Sequence, residues 1–177
     1  MWYKTQFRQA IFWWLLLCSL DTFSNTPIVG SVAPEFQAKT LSGESVVLSQ
    51  VLHQGPVLLV FWATWCPHCR SEVPALKALH AHFSPRLTVL GVNIAINDSI
   101  PAVRRYQQAH QLTYPLVFDQ DRQLRKRYRV VGTPTQILIN QQGRIHYRGS
   151  ETPAIKTMED WWTSLSVSTE MTKTPLN

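Results

Sequence analysis

The chain has 177 residues, 45% of them hydrophobic and 16% charged, and 17 Lys and Arg against 11 Asp and Glu give it a net charge of +6. That length fits one domain with terminal extensions. The positive residues are scattered, without zinc-finger spacing or a Walker-type glycine loop, which excludes an obvious nucleic-acid binder, and three cysteines are too few for a disulfide scaffold.

Residues 1–24 read as a targeting segment. Lys4 and Arg8 form a positive start, Ala10 to Leu20 is an apolar run of eleven, and Asp21 ends it. The run suits a signal peptide and is short for a membrane span of about 20 residues. Thr22 and Ser24 make a poor cleavage site, so a retained anchor is the alternative. In both cases the positive end stays in the cytoplasm and the rest is exported. Cys18 follows Leu17, not the small residue of a lipoprotein box, and is read as an apolar cysteine of the run.

Residues 25–34 are expected to be a linker and 35–165 the folded domain. Phe36 to Thr40 and Ser45 to Leu48 predict a hairpin turning at Ser42-Gly43. A short helix is expected over Ser49 to His53, stopped by Gly55-Pro56. VLLVFWA, Val57 to Ala63, predicts a central strand buried on both faces. A helix is expected from Pro67 to Phe83, with Val73, Leu76, Leu79 and Phe83 on its apolar face and Pro74 inside it, where it should kink the helix. Leu87 to Asn93 predicts a second buried strand. Asp98 or Ser99 should cap a helix over Pro101 to His110. Pro115 to Phe118 predicts a strand, and Arg122 to Tyr128 a short helix whose basic residues face solvent. Gln136 to Asn140 and Arg144 to Arg148 predict a closing hairpin. A last helix is expected from Thr152-Pro153, and residues 166–177 a flexible tail. The order predicts an α/β fold.

Two cysteines three apart, Cys66 and Cys69, stand where the buried strand gives way to a helix. Free amides and the positive helix end favour thiolate over thiol at Cys66, and the thiolate is the nucleophile. Cys69, one turn later, can resolve a mixed disulfide at Cys66. His68, as imidazolium, would further stabilise that thiolate. Glu72 shares the apolar helix face, where a carboxyl is costly unless it is used; buried there it would be poised to exchange a proton with Cys69. Far along the chain, Thr133-Pro134 precedes a strand. It is either a plain turn or a cis peptide that sets the Thr133 backbone beside the cysteines for pairing with an extended substrate. Trp65 and Pro67, flanking Cys66, are assigned with Thr133 and Pro134 to the substrate-binding surface. Trp62 and Trp65 are expected to pack around the cysteine pair, and the other histidines to lie on the surface.

FWATWCPHC, Pro74 eight residues past Cys66, and the GTPT turn at 132–135 resemble the thioredoxin superfamily. The N-terminal hairpin, an insertion at about 97–128, and Glu72 resemble more closely its TlpA/ResA group of exported thiol–disulfide oxidoreductases. The resemblance covers roughly 32–165. It implies a thioredoxin-like fold, a central mixed sheet flanked by helices with an N-terminal β-hairpin and a central βα-type insertion. It implies Cys66 as attacking thiol, Cys69 as resolving thiol, Pro134 in cis, and Glu72 as the proton-handling acid. Thioredoxin's buried aspartate on the preceding strand is replaced by Val60, which leaves its task to Glu72.

The resemblance also implies no metal and no cofactor beyond the redox-active Cys66–Cys69 pair. It implies a monomer in the periplasm or on the outer face of a bacterial inner membrane, acting on protein thiols and disulfides with a membrane electron donor or acceptor. The group implies a reductive direction; Pro67-His68, the dipeptide of the DsbA oxidants, points to the oxidative one. Two other readings are weaker. A copper-binding protein could use Cys66 and Cys69, but no second cysteine pair would close the site. A peroxiredoxin-type enzyme would need a threonine where Ala63 stands.

Overall fold

The computed structural model describes residues 27–171 of the chain, with side chains to Ser164; the targeting segment and Cys18 lie outside the described residues. Seven strands and five helices follow the predicted order. The strands are β1 (Gln37–Lys39), β2 (Ser45–Val47), β3 (Val57–Trp62), β4 (Thr88–Asn93), β5 (Leu116–Phe118), β6 (Thr135–Ile139) and β7 (Ile145–Gly149). The helices are α1 (Leu48–Leu52), α2 (Pro67–Phe83), α3 (Ile100–His110), α4 (Gln123–Arg127) and α5 (Ile155–Met171).

β1 and β2 form a separate antiparallel pair. The other five strands make one mixed sheet in the order β5-β4-β3-β6-β7. β3–β4 and β4–β5 are parallel, while β3–β6 and β6–β7 are antiparallel. This is the thioredoxin-like arrangement that the sequence resemblance implies, with α3, β5 and α4 as the insertion.

β3 is central, and all six of its residues are buried, which is why it reads as an unbroken apolar run. Its neighbour β4 admits Gly91 because a Cβ there would come within 2.5 Å of Leu116 Cδ2 and 3.2 Å of Trp62 Nε1. On α2, Cys69, Val73, Leu76, Leu79 and Phe83 are buried, the spacing of one helical face. The helix runs unbroken through Pro74, an exposed residue. In the insertion, Arg122, Lys126, Arg127 and Arg129 are exposed while Leu124, Tyr128 and Val130 are buried, as the charge run predicts. Tyr128 is fully enclosed, tilted against Phe61, and its hydroxyl donates to Pro34 O at 2.6 Å.

The structure departs from expectation at three places. The stretch expected as a linker is docked on the domain from Pro27 on. It runs antiparallel beside the start of β7 and the turn before it, with Gly30 N donating to Ile145 O, Ile145 N to Ser31 O and Ala33 N to Gly143 O. Pro and Gly suggested looseness there, but the outer edge of β7 offers free backbone groups that the segment satisfies. The last helix starts at Ile155, not Thr152, and the Thr152 amide and hydroxyl point instead at Glu72. It also continues to Met171, past the expected start of the tail at Ser166. Between Ile155 and Met171 there is no proline or glycine to stop it, and Ser/Thr content alone weakens a helix only slightly. Among the described residues no helix is long and apolar enough to cross a membrane.

Candidate active site

β3 ends at Trp62, and the chain turns through Ala63-Thr64-Trp65 into Cys66, the N-cap of α2. Cys66 has extended backbone (φ −83°, ψ 111°), and its Sγ accepts the Cys69 amide at 3.1 Å. Pro67 follows at the first turn, where its missing N–H removes no helical bond. Cys66 and Cys69 are joined as a disulfide with Cα atoms 5.3 Å apart. Both are nearly enclosed, at 3% and 4% exposure.

The loop in front of Cys66 is splinted to the loop after β4. Asp98 Oδ2 accepts Thr64 N at 2.8 Å and Asn93 Nδ2 at 2.8 Å, while Oδ1 accepts Thr64 Oγ1 at 3.0 Å and Ser99 N at 3.0 Å. Ser99, not Asp98, is the cap of α3. The Trp65 indole N–H donates to Ile96 O at 2.7 Å, tying the same two loops again. Trp65 itself is 49% exposed. Trp62 is the tryptophan that packs inward, against Tyr106 and beside Cys69. The division follows the end of the strand: Trp62 still belongs to the buried strand, whereas Trp65 stands beyond it on the turn.

From the other side comes the start of β6. The Thr133–Pro134 peptide is cis, and Thr133 O lies 3.5 Å from Cys66 Sγ. Pro134, Cys69 and Glu72 line one narrow, mostly apolar cavity floored by Val60 and Tyr114. On the outer side, Thr133, Pro134, His68 and Val131 border an open groove of about 620 Å³. Val131 is 94% exposed, an unusual position for an aliphatic side chain. His68 is exposed on this groove.

Glu72 is half-buried and firmly held. Its Oε2 accepts Thr152 N at 2.6 Å, Thr152 Oγ1 at 2.7 Å and Gln136 Nε2 at 3.3 Å. All eight predicted site residues thus gather around the disulfide: Cys66, Cys69, Pro67, His68 and Glu72 on α2, Trp65 just before it, and Thr133 and Pro134 opposite.

Four contributors escaped the sequence reading: Asp98, Asn93, Thr152 and Gln136. Asn93 and Gln136 carried a usable signal, a polar residue inside an apolar strand, which is costly to bury unless bonded. Asp98 and Thr152 act across 34 and 80 residues and carry none. His80, expected at the surface, is half-buried edge-on to Tyr114, and burial pushes its imidazole below the ordinary value. Among the described residues no group of three or more His, Cys, Asp or Glu converges as a metal site.

A cysteine pair closed across the first turn of a helix, faced by a cis-proline at the mouth of a mixed sheet, defines a thioredoxin-fold thiol–disulfide oxidoreductase. Comparison with known proteins agrees. Residues 29–148 match the profile of the AhpC/TSA family, and the chain belongs to that family. It is 36% identical over 131 residues to the thioredoxin-like protein YneN of Bacillus subtilis, covering 73% of this chain and 76% of that protein. It is 35% identical over 117 residues to the thiol-disulfide oxidoreductase ResA of the same species, covering 66% and 64%. Among solved structures, it is similar to the crystal structure of StoA from Bacillus subtilis (TM-score 0.63, 28% identity, 73% of this chain and 97% of that one). It is also similar to the thioredoxin domain of a thiol-disulfide oxidoreductase from Bacteroides vulgatus (TM-score 0.67, 26% identity, 76% and 97%).

Proposed function

We propose that the chain is an exported reductase of protein disulfides, renewed by a membrane electron donor. The observation that carries the reading is a carboxylate, Glu72, held by Thr152 and Gln136 on the wall of the cavity that also contains Cys69. A reductase must deprotonate its resolving thiol, and a fixed carboxylate beside that thiol is suited to the task. The relatives named thiol-disulfide oxidoreductases support the same chemistry. Export rests on the positive, then apolar, N-terminal segment.

In the reduced protein the Cys66 thiolate is stabilised by the Cys69 amide and by the N-terminal end of α2. A substrate strand lies in the groove against the Thr133 backbone. Cys66 attacks one sulfur of the substrate disulfide; a mixed disulfide forms and one substrate thiolate leaves. Glu72 takes the Cys69 proton, Cys69 attacks Cys66, and the second substrate thiolate departs. The substrate gains two electrons, and the pair closes to the disulfide seen here. A dithiol donor must then return two electrons. The pair itself is the redox centre, with no further cofactor in the cycle.

The dipeptide Pro67-His68 favours a second reading, an oxidase, because a charged imidazole beside Cys66 would stabilise the reduced form and make the disulfide more oxidising. The equilibrium potential of the Cys66–Cys69 couple against glutathione or dithiothreitol separates the two. A value near thioredoxin's, about −270 mV, is expected; one near DsbA's, about −120 mV, would overturn the reductive direction.

A further inference from the structure

We propose that Gln136 is a positioning residue for the thiol–disulfide exchange. It fixes the direction of the hydrogen bonds onto Glu72, gathering them on one carboxylate oxygen and leaving the other available to Cys69. The inference rests on the reading of Glu72 as proton acceptor and adds to it a residue in the middle of the sheet.

Gln136 is fully buried on β6, directly across from Val60 of β3. A buried amide in a central strand is costly unless its hydrogens are used. Here the amide Nε2 donates to both Thr152 Oγ1, at 2.9 Å, and Glu72 Oε2, at 3.3 Å. The first bond decides the second partner's role. A threonine hydroxyl has a single hydrogen. Because Thr152 Oγ1 accepts from Gln136, its own hydrogen is free to be given to Glu72, at 2.7 Å. Three donors therefore converge on Oε2, and among the described residues Oε1 takes none. Turned the other way, the amide would present its oxygen, claim the Thr152 hydrogen and leave Glu72 with the Thr152 backbone amide alone.

Gln136 Oε1 is itself buried and accepts no hydrogen bond among the described residues. For packing alone, a residue with an unpaired buried acceptor is a poor choice, since an aliphatic side chain of equal size would cost nothing in hydrogen bonding. The amide is justified by what its nitrogen does. The other titratable groups around Glu72 are Cys69 on its own helix, Tyr106 of α3 and Tyr114 across the cavity, His68 and Glu151 at the groove, and Tyr147 on β7.

The test isolates the Cys69 step. Reduced protein is mixed with the aromatic disulfide DTNB, and release of the second coloured thiolate, which reports attack of Cys69 on Cys66, is followed against pH. In Gln136→Met the Glu72 carboxylate loses the Gln136 donor and keeps the two from Thr152, so proton transfer from Cys69 to it needs a higher pH. The acid limb of the profile is expected to move up by about one pH unit, a tenfold loss of rate below the limb. The thermal midpoint should hold or rise, because a buried unpaired acceptor is removed. Gln136→Leu is read the same way should the Met variant fold poorly. A limb unmoved in these variants, while Glu72→Gln abolishes it, would overturn the role of Gln136 and leave Glu72 standing. A limb unmoved in Glu72→Gln would overturn the proton-acceptor reading and Gln136 with it.

Discussion

Cys66→Ser is expected to leave the protein folded and to lower its disulfide-exchange rate by about 10³-fold or more, the scale of losing a nucleophile. A serine hydroxyl in the same place is not ionised by an amide and a helix end, and it cannot form the mixed disulfide. Cys69→Ser should fail differently. Cys66 still attacks, nothing resolves the product, and substrate stays attached. In cells, non-reducing gels should show covalent complexes with Cys69→Ser and none with Cys66→Ser. Equal trapping by the two would reverse the roles assigned here. The asymmetry has a structural source: Cys66 is the cap, where the Cys69 amide points at its sulfur, while Cys69 lies one turn inside the helix.

Asp98→Ala should destabilise the fold by about 2–4 kcal/mol, the cost of leaving several partly or fully buried donors without an acceptor. Four bonds end on this one carboxylate, two of them from Thr64 and one from the fully buried Asn93. The loss also frees the turn that presents Cys66, so exchange at Cys66 should slow by about tenfold, as a misplaced reacting group does. Asp98→Asn, which keeps one acceptor oxygen, should recover part of both. Urea unfolding and the rate of Cys66 alkylation measure the two effects. A stable Asp98→Ala variant with native reactivity would show that Trp65 and its bond to Ile96 O hold the loop unaided.

Much of this was legible in the sequence, for identifiable reasons. β3 and α2 carry opposite periodicities, a continuous apolar run and then one residue in three or four, and the cysteines fall where one becomes the other. That junction alone places Cys66 at a cap. Glu72 was visible because a carboxyl on an apolar face contradicts its surroundings. What holds Glu72 was not visible. Thr152 reads as the start of a helix, and only the folded chain shows its amide and hydroxyl turned back onto α2. Gln136 could have been suspected, since a glutamine amid QILIN breaks an apolar strand, but its partner lies 64 residues away. Asp98 looked like a cap because caps are local and common; its actual task, clamping a loop 34 residues earlier, leaves no trace in spacing. The docked 27–33 segment was missed because proline and glycine mark irregular backbone, not whether that backbone is bound.

That docked segment bears on where the domain can be cut. β7 is the last strand on its side of the sheet, and residues 30–33 occupy the outward backbone groups at its start, the N–H and C=O of Ile145. A shortened protein that starts at residue 35 would keep every element of the site yet bare that strand. The exposed ladder would be a template on which a second molecule could add itself. A version beginning at or before Pro27 keeps the guard in place.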